Sequence, residues 1–283
     1  MSSRADPFTL PEWHALRREA SLVSQVIGAG ATALGRASYG KSFGEYYTAF
    51  FGLSIGIERL AKLILVADHI IEHQGALPDA QTVKAFGHRL EHLIKKSGDI
   101  AEKRGIANPH LSPSDPICAA VIDCLDSFAA ASKGRYANFE TIGNPNFDPS
   151  NEPVNKWWEK VVEPILDKHY RGRQAEHRVR HRARVVGKLL SDVSTILFFD
   201  ENGNQMTDLQ VASERSGQTK WAQEYGRFYA LAVVRWLSHI FIELVHSAGY
   251  GDETPCLFGH HEFFYSYKVD DKTLRTRKVW PLS

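Results

Sequence analysis

Long segments without proline, in which apolar residues recur at helical spacing, dominate the first half of this chain. Short clusters of Gly, Pro, Ser and Asn separate these segments. An apolar period of 3.6 residues, sustained over several turns, gives a helix one apolar face and does not match the two-residue period of a strand. The pattern therefore predicts a mainly α fold, with helices at 12–34, 43–73, 79–105, 117–131, around Trp157 and at 221–248.

Two other stretches alternate in the manner of β-hairpins. One is 191–211, around the turn DENGNQ, and the other is 263–280, around Asp270–Lys272. We therefore expect a helical bundle with extra helices and small β-hairpin appendages. Three segments are predicted: 1–132 as an N-terminal helical bundle, 133–193 as a loop plus an Arg/His-rich helix that completes the core, and 194–283 as a hairpin, a long helix and a C-terminal hairpin.

Composition limits the class of protein. With 283 residues, 43% of them hydrophobic, the chain can bury a sizeable core. The 34 Lys and Arg residues nearly balance the 33 Asp and Glu residues, so affinity for a nucleic acid must come from a local patch. Cys118, Cys124 and Cys256 form neither a CxxC motif nor a disulfide framework, which suits a reducing compartment.

The apolar runs do not predict a membrane protein. The N-terminal residues MSSRADPFTLPEWH lack the apolar run of a secretory signal. The most hydrophobic run, Thr48–Ala67, contains Glu58, Arg59 and Lys62, and a membrane span rarely carries three such charges near its centre. We expect a cytoplasmic protein without a membrane partner.

The most concentrated charge lies at 171–184, RGRQAEHRVRHRAR, which holds six arginines and two histidines in fourteen residues. On a helix, Ala175, Val179, Ala183 and Val186 would form the buried side and the charged residues would form the exposed stripes. Only Glu176 lies inside the block to offset the arginines. Planar guanidinium groups match phosphate oxygens, so the block predicts a site for phosphate-bearing partners. The alternative is pairing with acidic residues elsewhere in the fold.

A histidine held among arginines can also catalyse RNA cleavage. The histidine moves protons to and from the 2′-hydroxyl and the leaving oxygen, while an arginine stabilises the added charge on phosphorus. No metal or other cofactor is required when the 2′-hydroxyl of the RNA is the nucleophile.

Three motifs resemble the first helices of the HEPN superfamily: Glu45-Tyr46-Tyr47, GLSIGIERLAKLIL at 52–65 and GHRLEHL at 87–93. The superfamily includes AbiV-like abortive-infection proteins and toxin-type ribonucleases, and the resemblance covers about residues 40–185. It implies an α-helical bundle that forms a homodimer. Catalytic members carry an Arg-x(4–6)-His motif that cleaves RNA without metal.

The resemblance assigns roles to named residues. Arg171 and His177, with five residues between them, match the motif, so His177 would be the general acid/base and Arg171 the phosphate clamp. Gly172 stands where the family often has a small polar residue, and a straight helix would place Arg171 and His177 about 120° apart, so the helix must begin after Gly172 or bend there. Arg173 is the geometric substitute for the clamp. Glu58 and Lys62 are supporting residues, and the remaining RNA-binding residues would be Arg173, Arg178, Arg180, His181, Arg182 and Arg184.

The leading prediction is a metal-independent HEPN-type endoribonuclease of a defence or toxin system. Its partners would be RNA, a second copy of the chain, and a cognate antitoxin or defence protein. The alternative is a non-catalytic HEPN-like module that binds a nucleic acid, a nucleotide or a protein.

Other patterns favour structural roles. A rival site, Arg235, His239, Glu243 and His246, follows one helical stripe in apolar surroundings and is more typical of a buried polar network. Histidine pairs at i,i+4 spacing leave a metal site open, but helical histidines bonded to neighbouring groups explain them better; they are His69/His73, His88/His92 and His177/His181. The glycines of IGAGATALG (27–35) lack a preceding strand and predict close packing of helices.

Overall fold

The computed structural model describes residues 6–38, 40, 42–130, 152–191, 198–200, 205–251 and 253–281. Within these ranges the chain is mainly α, as predicted. The helices are α1 (Pro11–Leu34), α2 (Gly44–Glu72), α3 (Ala80–Ala85), α4 (Leu90–Lys103), α5 (Pro116–Ala129), α6 (Pro153–Trp157), α7 (Glu163–His169), α8 (Gln174–Leu190), α9 (Leu209–Gly249) and α10 (Asp271–Thr276).

The long helix α9 lies at the centre of the fold. It packs against α1, α2, α4, α5, α7 and α8. Its apolar residues join a single hydrophobic cluster that runs from Ala20 in α1 to Trp280 near the C-terminus and includes residues of all three predicted segments. Of the described helices, only α9 is long and apolar enough to cross a membrane, and 83% of its most apolar window is buried inside the protein.

Glycines let α1 and α2 approach closely. A methyl group added at Gly30 would lie 2.8 Å from the backbone nitrogen of Leu53, and one added at Gly52 would lie 2.9 Å from the Cα of Gly30. Real side chains essentially never come this close to a backbone, so each helix contacts the other through bare backbone. The close packing predicted from the glycines of 27–35 is confirmed.

Two helices differ from the predicted bounds. The helix predicted at 79–105 is two helices, α3 and α4, because Gly87 between them adopts a left-handed φ of +80° that ends the first. Helix α9 begins at Leu209, well before the predicted 221, because the carboxylate of Asp208 caps its first turn.

The first predicted hairpin is confirmed in part: β1 (Phe198–Phe199) and β2 (Gln205–Met206) form a short antiparallel pair, whereas the last predicted residues, from Leu209, belong to α9. Residues 192–197 and 201–204 of that prediction lie outside the described residues. The second, at 263–280, is wrong: a 3₁₀ helix at His260–Tyr267 and the helix α10 take its place. The carboxylate of Asp270 accepts the backbone N–H of Thr273 at 2.7 Å and starts α10. Four apolar residues of this segment, Phe264, Tyr267, Leu274 and Trp280, are buried as separate anchors against the bundle, whereas Tyr265 and Val279 are exposed. The Gly/Pro/Asn-rich loop predicted after 132 lies largely outside the described residues.

Candidate nucleic-acid interface

The Arg/His-rich block begins with a sharp turn. Gly172 has a left-handed φ of +69°, a conformation that favours glycine, and α8 starts two residues later. The carboxylate of Glu176, in the first turn of α8, accepts the backbone N–H of Gly172 at 2.7 Å. This bond satisfies a donor at the helix start and places a negative charge at the positive end of the helix. The expectation that the helix begins after Gly172 is confirmed.

Helix α8 packs on the first half of α9 through the predicted face. Ala183 and Gly187 are buried, and Val179 is half-buried. A methyl group added at Gly217 of α9 would lie 2.3 Å from the side chain of Val179, so this glycine lets the two helices approach. The close contact fixes which side of α8 faces away from the protein.

The exposed side of α8 is a cationic face, made by residues His177, Arg178, Arg180, His181, Arg182, Arg184 and Lys188. Arg182 and Arg184 form no ion pair or hydrogen bond with any described residue. Among the described residues, Arg178 hydrogen-bonds only with Gln174, at 3.3–3.4 Å. Of the arginines on this face, only Arg180 meets a carboxylate of the described chain, that of Glu176 at 2.9 Å. Three guanidinium groups on one helix are therefore free of negative partners in the described part of the chain.

Arg171 has a different environment from the arginines of α8. Its guanidinium forms ion pairs with both Asp167 and Glu163, and the hydrogen bond with Asp167 is the main reason that its pKa is raised. Glu163 also accepts the indole N–H of Trp158 at 2.8 Å. Arg171 thus ties the turn to α7, and both acceptors that hold it are carboxylates.

His177 and Arg173 lie one turn apart at the start of α8. The imidazole of His177 is exposed and bonds to no described side chain. Arg173 donates from Nη2 to the backbone carbonyl of Lys168 at 2.8 Å, which leaves its other N–H groups available. No described contact joins Arg171 to His177. Between the two arginines considered for the clamp, Arg173 is the one without a carboxylate.

The supporting residues predicted on α2 belong to another cluster. Lys62 Nζ lies 2.7 Å from Glu58 Oε1, and His88 Nδ1 lies 2.9 Å from the same oxygen. None of the described contacts of these residues reaches α8. The structure therefore does not bring Glu58 and Lys62 together with the block at 171–184.

Only the first half of the rival stripe on α9 is the predicted buried polar network: Arg235 and His239 are buried, whereas Glu243 is half-exposed and His246 is exposed. Arg235 donates to the carbonyl of Val269 at 2.8 Å and to Asp271 at 2.6 Å. The Nε2 of His239 lies 2.9 Å from the carbonyl of Ala107. Within the described ranges, no group of three or more His, Cys, Asp or Glu residues could hold a metal ion; His69 and His73, for example, stack at 3.9 Å.

Sequence reasoning missed some residues of this region. Lys188 follows Arg184 at i+4 and extends the cationic face, and that spacing is readable from the sequence. Asp167 precedes Arg171 at i−4, so one of the two ion pairs of Arg171 was also readable. The second carboxylate, Glu163, was not, because its distance to Arg171 depends on the turn of the chain at Tyr170, where α7 ends.

No protein-family model, curated protein or solved structure matches this chain.

Proposed function

We propose that the protein binds RNA along the cationic face of α8. The observation that carries the proposal is the set of guanidinium groups on that face, Arg178, Arg182 and Arg184, that have no carboxylate partner among the described residues. Crowded like charges on one helix repel each other and destabilise it. A phosphate backbone would relieve that repulsion, and guanidinium groups pair with phosphate oxygens in two-pronged hydrogen bonds.

The charge distribution supports a local interface. The whole chain carries a net charge of only +1, so non-specific attraction to a polyanion cannot come from the protein as a whole. We assign it to the stretch of α8 between His177 and Lys188, where the exposed cations are most concentrated along the described chain. This stretch spans about 16 Å at 1.5 Å per residue.

The binding experiment is a salt titration with a single-stranded RNA. For single strands, log K falls against log salt with a slope of about −0.7 for each phosphate neutralised. The double variant Arg182→Gln/Arg184→Gln should reduce this slope by about 1.4. The matched control Arg18→Gln/Arg36→Gln removes two exposed arginines from α1 and its C-terminal end and should leave the slope unchanged. A slope that is equal in both double variants would refute the interface.

Metal-independent RNA cleavage is the second candidate function, in line with the HEPN resemblance. The exposed imidazole of His177, one turn from Arg173, is the observation that favours it. In this proposal His177 accepts the 2′-hydroxyl proton, the 2′-oxygen attacks phosphorus, the bond to the 5′-oxygen breaks, and the proton passes to that oxygen. A homodimer would place two such helices across one RNA strand, and an antitoxin or defence partner would cover the same face.

Cleavage is tested on the same RNA in the presence of EDTA. Wild-type protein should release fragments with 2′,3′-cyclic phosphate and 5′-hydroxyl ends, and His177→Ala should bind the RNA but release none. The variant His14→Ala, which removes an exposed histidine of α1, is the control for activity. Cleavage that continues undiminished in His177→Ala excludes this histidine as the acid/base, and RNA binding without any cleavage by the wild type leaves a binding module.

A further inference from the structure

A cavity of about 530 Å³ opens between α4 and α5, and Trp236 of α9 lines it. Ile94 and Ile122, both buried, form further apolar parts of its wall. Cavities of roughly 300–1,000 Å³ with mostly apolar walls are the usual sites for small-molecule ligands. No residue of the cationic face lines this cavity, so it is a separate feature of the molecule.

Gly98 keeps the ring of Trp236 open to the cavity. This glycine lies in the interior of α4, where glycine destabilises a helix relative to alanine. Its φ is not in the left-handed region, so the backbone does not require it. A methyl group at this position would meet Trp236 Cη2 at 3.4 Å, an ordinary contact, so the packing does not require it either. The remaining effect of the glycine is the space that it leaves beside the indole ring.

The acceptors around the cavity are already engaged. Asp126 accepts the backbone N–H of Leu90 at 2.7 Å and faces Arg89 at 3.5 Å. Asp123 forms an ion pair with Lys156 at 3.0 Å. Glu91, the third acidic residue of the wall, faces Arg89 at 3.5 Å. Each of the three carboxylates therefore faces a cation, and Asp126 and Glu91 share the one guanidinium of Arg89.

Donors, in contrast, remain unused. Lys95 lines the cavity, is exposed, and pairs with no carboxylate of the described chain. The indole N–H of Trp236 donates to none of the described residues, although the backbone carbonyl of the same residue accepts from Asn108 at 2.9 Å. A site with free donors, engaged acceptors and an aromatic wall suits a ligand that brings an apolar ring and an anionic group.

We propose that this cavity binds a small planar aromatic anion. One or two fused rings would lie against Trp236 in the space beside Gly98, and a carboxylate or phosphate on the ring system would meet the ammonium group of Lys95. A mononucleotide and a non-nucleotide aromatic acid share this chemistry. The site does not depend on RNA binding by α8, and either function can fail without the other.

The first experiment measures ligand binding by isothermal titration calorimetry. The probes are AMP and indole-3-acetate, each with its neutral counterpart, adenosine or indole. At least one anion should bind, about tenfold more tightly than its neutral counterpart. Binding of AMP would indicate a mononucleotide ligand, and binding of indole-3-acetate would indicate a non-nucleotide aromatic acid. Lys95→Gln should weaken that binding about tenfold, the loss of one charge-assisted hydrogen bond. Lys84→Gln, an exposed lysine on α3, should leave it unchanged.

The second experiment fills the cavity. Gly98→Leu should abolish binding, whereas Gly44→Leu, at a helical glycine with nothing within 4 Å of an added Cβ, should retain it. Gly98→Ala should weaken binding and raise the melting temperature by about 2 °C, because alanine favours the helix. The double variant Arg182→Gln/Arg184→Gln should bind the anion like wild type. Failure of both anions to bind wild-type protein, or equal binding by wild type and a folded Gly98→Leu or Gly98→Ala variant, overturns the proposal.

Discussion

The crossing of α1 and α2 allows a quantitative prediction for Gly30→Ala. The added methyl carbon would lie 2.8 Å from the backbone nitrogen of Leu53 and 3.1 Å from the carbonyl oxygen of Ala49. Ordinary contacts begin near 3.4 Å, so the helices must separate by about half an ångström or more. Both atoms belong to the backbone of α2, so no side-chain rotation can relieve the overlap.

Two contributions of opposite sign determine how much Gly30→Ala changes the free energy of unfolding. Overpacking of a tight core typically destabilises by about 1–3 kcal/mol, and a clash with backbone belongs near the upper limit. Alanine in a helix interior is more favourable than glycine by about 1 kcal/mol. We therefore expect Gly30→Ala to lower the free energy of unfolding by about 2 kcal/mol.

Urea denaturation followed by circular dichroism measures this change. At roughly 2 °C per kcal/mol for a chain of this size, the melting temperature should also fall by about 4 °C. Gly44→Ala is the matched control, because it is also a helical glycine of this helix pair but has open space around it, so its stability should be unchanged or raised. If Gly30→Ala is as stable as Gly44→Ala, the close approach of the two backbones is not what the structure indicates.

Three further predictions concern the site and the interior. Arg171→Gln should leave RNA affinity unchanged in a gel-shift titration, because carboxylates already hold its guanidinium. It should lower stability in a urea melt by no more than about 1 kcal/mol, since its ion pairs are part-exposed. Burial raises the pKa of the Cys118 and Cys124 thiols to about 12, so iodoacetamide at pH 8 should label neither until the protein is unfolded, as mass spectrometry can show. Burial lowers the pKa of His169 and His260 from 6.5 to about 4, so between these pH values the unfolded chain binds protons that the folded chain does not. The contribution of these histidines to stability should therefore be full above about pH 6.5 and should be lost as the pH falls toward 4. Urea melts at a series of pH values measure this change.

The sequence predicted the helices where an apolar period was strong, as in α1, and it predicted the break at Gly172. It missed two ends that a single residue decides, the break at Gly87 and the start of α9 after Asp208. The C-terminal segment failed because 263–280 alternates apolar and polar residues without forming a strand. There, Tyr267 and Leu274 are each buried against the bundle from different short helices. Such anchoring depends on the tertiary position of the segment, which a two-residue period cannot reveal.

The sequence predicted which residues form the candidate site, but not which carboxylates pair with its arginines. The sequence indicates which side chains of α8 face outward, because the buried residues Ala183 and Gly187 fix the orientation of the helix. It does not indicate that Glu163 lies beside Arg171, since that contact depends on how the chain turns at Tyr170, where α7 ends. The cavity beside Gly98 gave no sequence signal except a glycine in a helix interior.

Pairing also changes what the density of arginine at 171–184 means. Two arginines of the block are neutralised within the protein, because Arg171 meets two carboxylates and Arg180 meets Glu176. The other cations of α8, Arg178, Arg182, Arg184 and Lys188, meet no carboxylate of the described chain. The paired arginines stabilise the turn that orients α8, and the unpaired cations form the face that this turn exposes. An assay that substitutes every arginine together would mix these effects, whereas Arg182→Gln/Arg184→Gln removes charge from the surface and leaves the turn intact.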